Sequence, residues 1–166
     1  MKKAAIAILA VIFVITLASC GMSEDEYRES LKQYPNSGEI QFNDVTLTIP
    51  DGYIRDTTME GTEEGYARRW EQGNYRKIIT ISKHEQIEMD ESSLETTKNN
   101  QRAISVSEPE VEFIPFHGEF AIESTVQLDD GTEMKYLMFN IEGYTYHFSV
   151  QGDTSDYETI KDSITF

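Results

Sequence analysis

Val45-Thr46-Leu47-Thr48-Ile49-Pro50-Asp51-Gly52-Tyr53 places an apolar side chain at every second position and then stops. Alternation of period two marks a strand with one dry face and one wet face. Pro50 cannot donate to a ladder, and Asp51-Gly52 turns the chain away. Near the C-terminus the same rule assigns Tyr144, Tyr146, Phe148 and Val150 to one face, with Thr145, His147 and Ser149 on the other.

Working outward from the first strand, Ile40 and Phe42 lead in through Asn43-Asp44, so the folded domain is expected to begin at Glu39. Beyond Tyr53, residues 55–65 are polar and rich in acids, including Glu60, Glu63 and Glu64, and read as a loop. Residues 66–71 and 75–83 flank Gln72-Gly73-Asn74 and form a predicted hairpin, with Ile79 and Ile81 facing opposite to Ile78 and Thr80. Residues 90–105 are the main predicted helix, opened by Ser92-x-x-Glu95 as a capping box. Leu94, Ala103 and Ile104 are its only apolar side chains apart from threonine methyls, so it should lie on the surface and bury a narrow stripe. Four strands follow, at 111–116, 119–127, 133–140 and 144–150, separated by His117-Gly118, Asp129-Asp130-Gly131 and Glu142-Gly143. Ser155-Asp156-Tyr157-Glu158 caps a last helix to about residue 162, and Ser163-Ile164-Thr165-Phe166 ends the chain.

This order resembles the PsbP-like family, which includes an extrinsic photosystem subunit and many small bacterial lipoproteins. The residues that carry the resemblance are Val45 through Tyr53, Gly143-Tyr144-Thr145-Tyr146-His147-Phe148 and Ile160-Lys161-Asp162-Ser163-Ile164-Thr165-Phe166. It implies an α+β fold over residues 39–166, an antiparallel sheet flanked by helices on both sides as an α/β/α sandwich. It implies binding and assembly roles, and it carries over no catalytic residue.

The N-terminus has a separate logic. Lys2 and Lys3 precede an apolar run from residue 4 to 17, and Leu17-Ala18-Ser19-Cys20 closes it. A stretch of 14 residues, apolar but for Thr16, suits a signal-peptide core, whereas a membrane span needs about 20. LASC resembles the lipobox of bacterial lipoproteins. The expectation is a signal peptide at 1–19, lipidation of Cys20 by palmitate-type acyl chains, and a tether with a short helix over 20–38. Two acyl chains, at about 0.8 kcal/mol per buried methylene, anchor a protein durably. Cys20 is the only cysteine, so it has no disulfide partner within the chain.

Removal of the signal would take away two of the 14 basic residues and none of the 30 acidic ones, leaving 12 against 30 and a formal charge of −18. Such a surface repels nucleic acid and anionic headgroups. No G-x-S-x-G elbow, S-x-x-K pair, phosphate loop or dinucleotide fingerprint occurs. His84, His117 and His147 show no mutual spacing that suits a metal, although His84-Glu85 with Glu88 and Asp90 is a local acidic cluster. Asp129-Asp130-Gly131-Thr132-Glu133 lacks the spacing of a calcium loop and reads as a turn.

These features predict a membrane-anchored lipoprotein outside the cytoplasm, held by lipid on Cys20 and acting as a non-catalytic interaction or accessory module for another envelope protein. No cofactor, metal or catalytic residue is assigned. An alternative is a small-ligand groove lined by Tyr144, Tyr146 and Phe148, with Tyr136, Trp70 and Tyr66 nearby. A third reading is a metal-assisted hydrolase using His84 or His117, which requires two of the histidines to approach a carboxylate.

Overall fold

The structure, a computed structural model, describes residues 37–56, 67–73 and 76–166. Cys20, the signal segment, the 20–38 tether up to residue 36, Tyr66 and most of the 55–65 loop lie outside the described residues, and Gly38 at the tether's end already belongs to the first strand. Two antiparallel sheets organise the rest. β1 (Gly38–Phe42) and β2 (Val45–Ile49) form a two-stranded sheet, turned at Asn43, whose φ is +52°. The lead-in through Ile40 and Phe42 is therefore itself a strand, paired Ile40 to Leu47 and Phe42 to Val45.

The larger sheet contains β3 (Ile54–Asp56), β4 (Ala67–Gln72), β5 (Lys77–Glu85), β6 (Glu110–Phe116), β7 (Glu119–Gln127), β8 (Glu133–Ile141) and β9 (Tyr144–Gly152). Its order is β3-β4-β5-β9-β8-β7-β6, and every pairing is antiparallel. The predicted hairpin and four-strand meander are both present, and β9 bridges them by lying between β5 and β8. Gly152 allows that junction, because with φ at +95° a Cβ there would collide with the Arg76 carbonyl. β6 is an edge strand and contains Pro115, which sits opposite Phe120.

Two α-helices occur among the described residues: α1 (Glu91–Arg102) and α2 (Tyr157–Ser163), the latter entered through a 3-10 turn at Thr154–Asp156. The cap of α1 lies two residues before the predicted one. Asp90 accepts from Ser93 N at 2.9 Å, and Ser93 Oγ accepts from Asp90 N at 2.9 Å. Asp90 itself takes the extended backbone of a cap, φ −128° and ψ 179°, and places its short carboxylate at the helix mouth. The 3-10 turn is capped by Asp153, which accepts from Ser155 N, whereas Asp156 makes no side-chain cap to α2.

The core lies on the face of Tyr146, Phe148 and Val150, all 0% exposed. Ile79, Ile81, Leu137 and Phe139 join them from neighbouring strands, with Leu47 and Ile49 from β2 and Tyr157, Ile160 and Ile164 from α2 and its exit. Phe148 stacks on Tyr157 at 5.6 Å and Phe139 on Tyr146 at 5.7 Å. Glu123 is a charged residue held beside this core. It accepts from Tyr157 Oη at 2.8 Å and from Lys161 Nζ at 2.9 Å, which clamps α2 to β7. The terminal segment then docks on β2, where Thr165 and Thr46 exchange two backbone hydrogen bonds of 2.8 Å.

Candidate functional site

The aromatic stripe proposed as a groove is solid core. Tyr146, Phe148 and Trp70 are fully buried, and only Tyr144 at the strand end is exposed. Lys83 sits over the Tyr144 ring, 3.7 Å from its centroid, and also donates to Asp44 Oδ2 at 3.0 Å. Tyr146 Oη donates to the same carboxylate oxygen at 2.9 Å, and the bond from Lys83 holds the Asp44 carboxyl below its ordinary range. Tyr136 belongs to the opposite face.

That opposite face buries Ile122, Val126 and Met138 and sets polar side chains beside them. Register pairs Ser82 with His147 and His84 with Thr145, so two histidines 63 positions apart become diagonal neighbours. Their rings lie 4.2 Å apart, and Tyr136 meets His147 edge-on at 5.4 Å. His84 Nε2 is 2.8 Å from Ser82 Oγ, whereas His147 Nε2 is buried with no hydrogen-bond partner. Burial, with His84 alongside, pushes the His147 imidazole down to about 4, and burial also lowers His84. His117 is remote, wedged between the rings of Phe116 and Phe166. Among the described residues no three His, Cys, Asp or Glu side chains gather where they could hold a metal ion.

A cleft of about 490 Å³ runs between α1 and this face, floored by Tyr136, Met138 and His147. Its helical wall overturns the expected apolar stripe. The residues that α1 buries are Ser93, Thr97 and Gln101, while Ile104 is 49% exposed just beyond the helix end. Spacing of four puts the three polar residues on one helical face. A search for apolar periodicity passes over them, because the signal is a run of hydroxyl and amide side chains at i, i+4 and i+8.

A second feature lies at the end of the sheet where β5 finishes and the β6–β7 and β8–β9 turns fall. Phe120 is 65% exposed, Phe166 58%, Tyr144 44% and Ile87 42%. The β5–α1 connection is pinned there, with Ile87 N donating to Thr145 Oγ1 and Asn140 Nδ2 donating to Ile87 O, each at 2.7 Å. His117 and Glu142 hold positive φ in the two turns and present their side chains at this end.

No protein-family model matches the chain, and no curated protein matches it either. Among solved structures it is similar to the solution structure of cyanobacterial PsbP (CyanoP) from Synechocystis sp. PCC 6803, at 13% identity. That likeness covers 74% of this chain and 86% of the other, with a TM-score of 0.47. Among the described residues no helix is long and apolar enough to cross a membrane.

Proposed function

We propose that this chain is a lipid-anchored extracytoplasmic protein whose domain binds another envelope protein and performs no chemistry itself. Cys20 carries the lipid, the 20–38 segment is the tether, and the domain presents its turn end to the partner. The observation that carries the reading is the collection of Phe120, Phe166, Tyr144 and Ile87, all exposed, at one end of a domain of strongly negative formal charge. Large apolar side chains grouped on such a surface mark interaction sites, because scattered singly they would carry no meaning.

The fold reads best as a PsbP-like α/β/α sandwich. Support comes from the alternation along β9: α1 lines a cleft over His147, while Tyr157 of α2 stacks on Phe148, the next residue.

The reading is tested by mild crosslinking and pull-down of the tagged protein from its own membranes. A partner recovered in near-stoichiometric amount is expected, lost on Cys20→Ala and reduced at least about tenfold by Phe120→Glu, a central-aromatic loss of the size seen at interface hot spots. Monomer alone from wild-type membranes refutes it.

A further inference from the structure

At the turn end of the sheet, a groove of about 420 Å³ opens beside Phe120, between the β5–α1 connection and the β8–β9 turn. Its walls are fixed in advance. Ile87 N donates to Thr145 Oγ1, that hydroxyl donates to Asn140 Oδ1, and Asn140 Nδ2 donates back to Ile87 O, each at 2.7 Å. A connection pinned by such a ring of hydrogen bonds has little freedom left to lose on binding. Phe120 lines the groove and is 65% exposed, although its ring meets Phe113 edge-on at 6.2 Å. Glu119 and Glu142 line it too, and neither lysine nor arginine does. Among the described residues neither carboxylate forms an ion pair, and Lys83, on the strand that leads into the groove, is committed to Asp44 and the Tyr144 ring. Glu142 also holds φ at +47°, a left-handed backbone in which glycine or asparagine is the less strained choice. The turn keeps a carboxylate that neither its own geometry nor an internal cation calls for.

We propose that this groove receives a basic amphipathic segment of the partner protein, whose apolar side chain packs on Phe120 and Met89 while flanking lysine or arginine residues pair with Glu119 and Glu142. This rests on the partner reading above and gives that partner its chemistry. Charge discriminates among occupants. A second copy of the chain would bring 30 acidic residues against 14 basic ones, so like charges would meet. Anionic headgroups are repelled for the same reason. A segment that alternates cations with apolar residues finds complementary potential at its flanks and an uncovered ring at its centre. A cation set over the face of Phe120 strengthens the contact further.

The test titrates the full lipidated chain, in phosphatidylcholine nanodiscs, with three synthetic heptapeptides in about 150 mM salt to screen diffuse attraction. One alternates lysine with leucine, one lysine with serine, and one glutamate with leucine. The methyl group of Met89 reports the groove by NMR, and that of Met138, under α1, is the internal control. The lysine–leucine peptide is expected to shift Met89 saturably with a Kd below about 1 mM and to leave Met138 in place. The lysine–serine peptide should bind at least about tenfold more weakly, and the glutamate–leucine peptide not at all. Glu119→Lys/Glu142→Lys should reverse the preference between lysine and glutamate peptides, whereas the equal charge change Glu110→Lys/Glu112→Lys on the β6 edge should leave it intact. Phe120→Ser, at an exposed side chain, should weaken the lysine–leucine peptide at least about tenfold. Absence of saturation, or the same reversal in both charge-changed variants, overturns the proposal. So does a Met89 shift that follows protein concentration, which assigns the groove to a second copy, or added lipid, which assigns it to the bilayer. A partner still captured in full from membranes by Glu119→Lys/Glu142→Lys overturns the basic segment and leaves the partner reading standing, whereas monomer alone from wild-type membranes refutes that reading.

Discussion

The two faces of the large sheet are made by the same strands and are covered differently. On β9, Tyr146, Phe148 and Val150 enter a close-packed aromatic and aliphatic core, while Thr145, His147 and Ser149 point to the other side. The first face is closed by β2 and α2 with apolar side chains. The second is partly roofed by a helix that offers hydroxyls and an amide, and it keeps a cleft. The second face also buries Ile122, Val126 and Met138, so both faces contribute to stability, and the contrast lies in the helix that covers each.

The contrast can be broken most forcefully from the dry side. Phe148→Ala removes a fully buried ring stacked on Tyr157 and should cost about 3–5 kcal/mol, read as a lower denaturant midpoint at unchanged slope. Acid attacks the other face. The folded pKa of His147, about 4, lies below its ordinary 6.5, so the unfolded chain binds the extra proton first. Its contribution is complete above pH 6.5 and is lost as the pH falls towards 4, a swing of about 3 kcal/mol, to which His84 adds in the same direction. Urea titrations between pH 7 and 4 should show that slope, and His147→Phe should flatten it.

A smaller effect is expected at the clamp that fixes α2 to the dry face. Glu123→Ala leaves Tyr157 Oη and Lys161 Nζ without their shared acceptor and should cost about 1–3 kcal/mol, measured by thermal unfolding. Smallest of all, and opposite in sign, is Thr97→Val. It replaces a buried hydroxyl in the polar stripe with a methyl and should leave stability unchanged or raise it by about 0.5–1 kcal/mol. Destabilisation of more than about 1 kcal/mol would mean that the polar roof holds the fold as firmly as the dry face does.

The dry face was legible in the sequence and the face under α1 was not, for physical reasons. Residues 45–49 and 144–150 announce their buried side through strict alternation, and burial rewards that pattern at every second residue. The Gly118, Gly131 and Gly143 turns were equally readable, since each takes the left-handed backbone that glycine favours, whereas Asn43, read as part of a lead-in, makes the β1–β2 turn. The cap at Asp90 was missed because Ser92-x-x-Glu95 offers the same chemistry two residues later, and the choice depends on where the preceding chain enters. The meeting of His84 and His147 follows from the β5–β9 register, which pairs strands separated by a helix and three other strands. Local patterns hold no information about it. The inward stripe of α1 was hidden because a helix is ordinarily oriented by its apolar side chains, and here Leu94 is only half-buried while Ala103 and Ile104 lie exposed past the helix end.

The outer edge of β6 has a consequence for chains held close together. An unpaired strand edge is a template for another copy, and crowding multiplies encounters between such edges. Glu110 and Glu112 bring charge to that edge, and Pro115 presents a ring where a ladder would need an N–H. Copies meeting side by side would therefore slide past one another instead of zipping into a shared sheet.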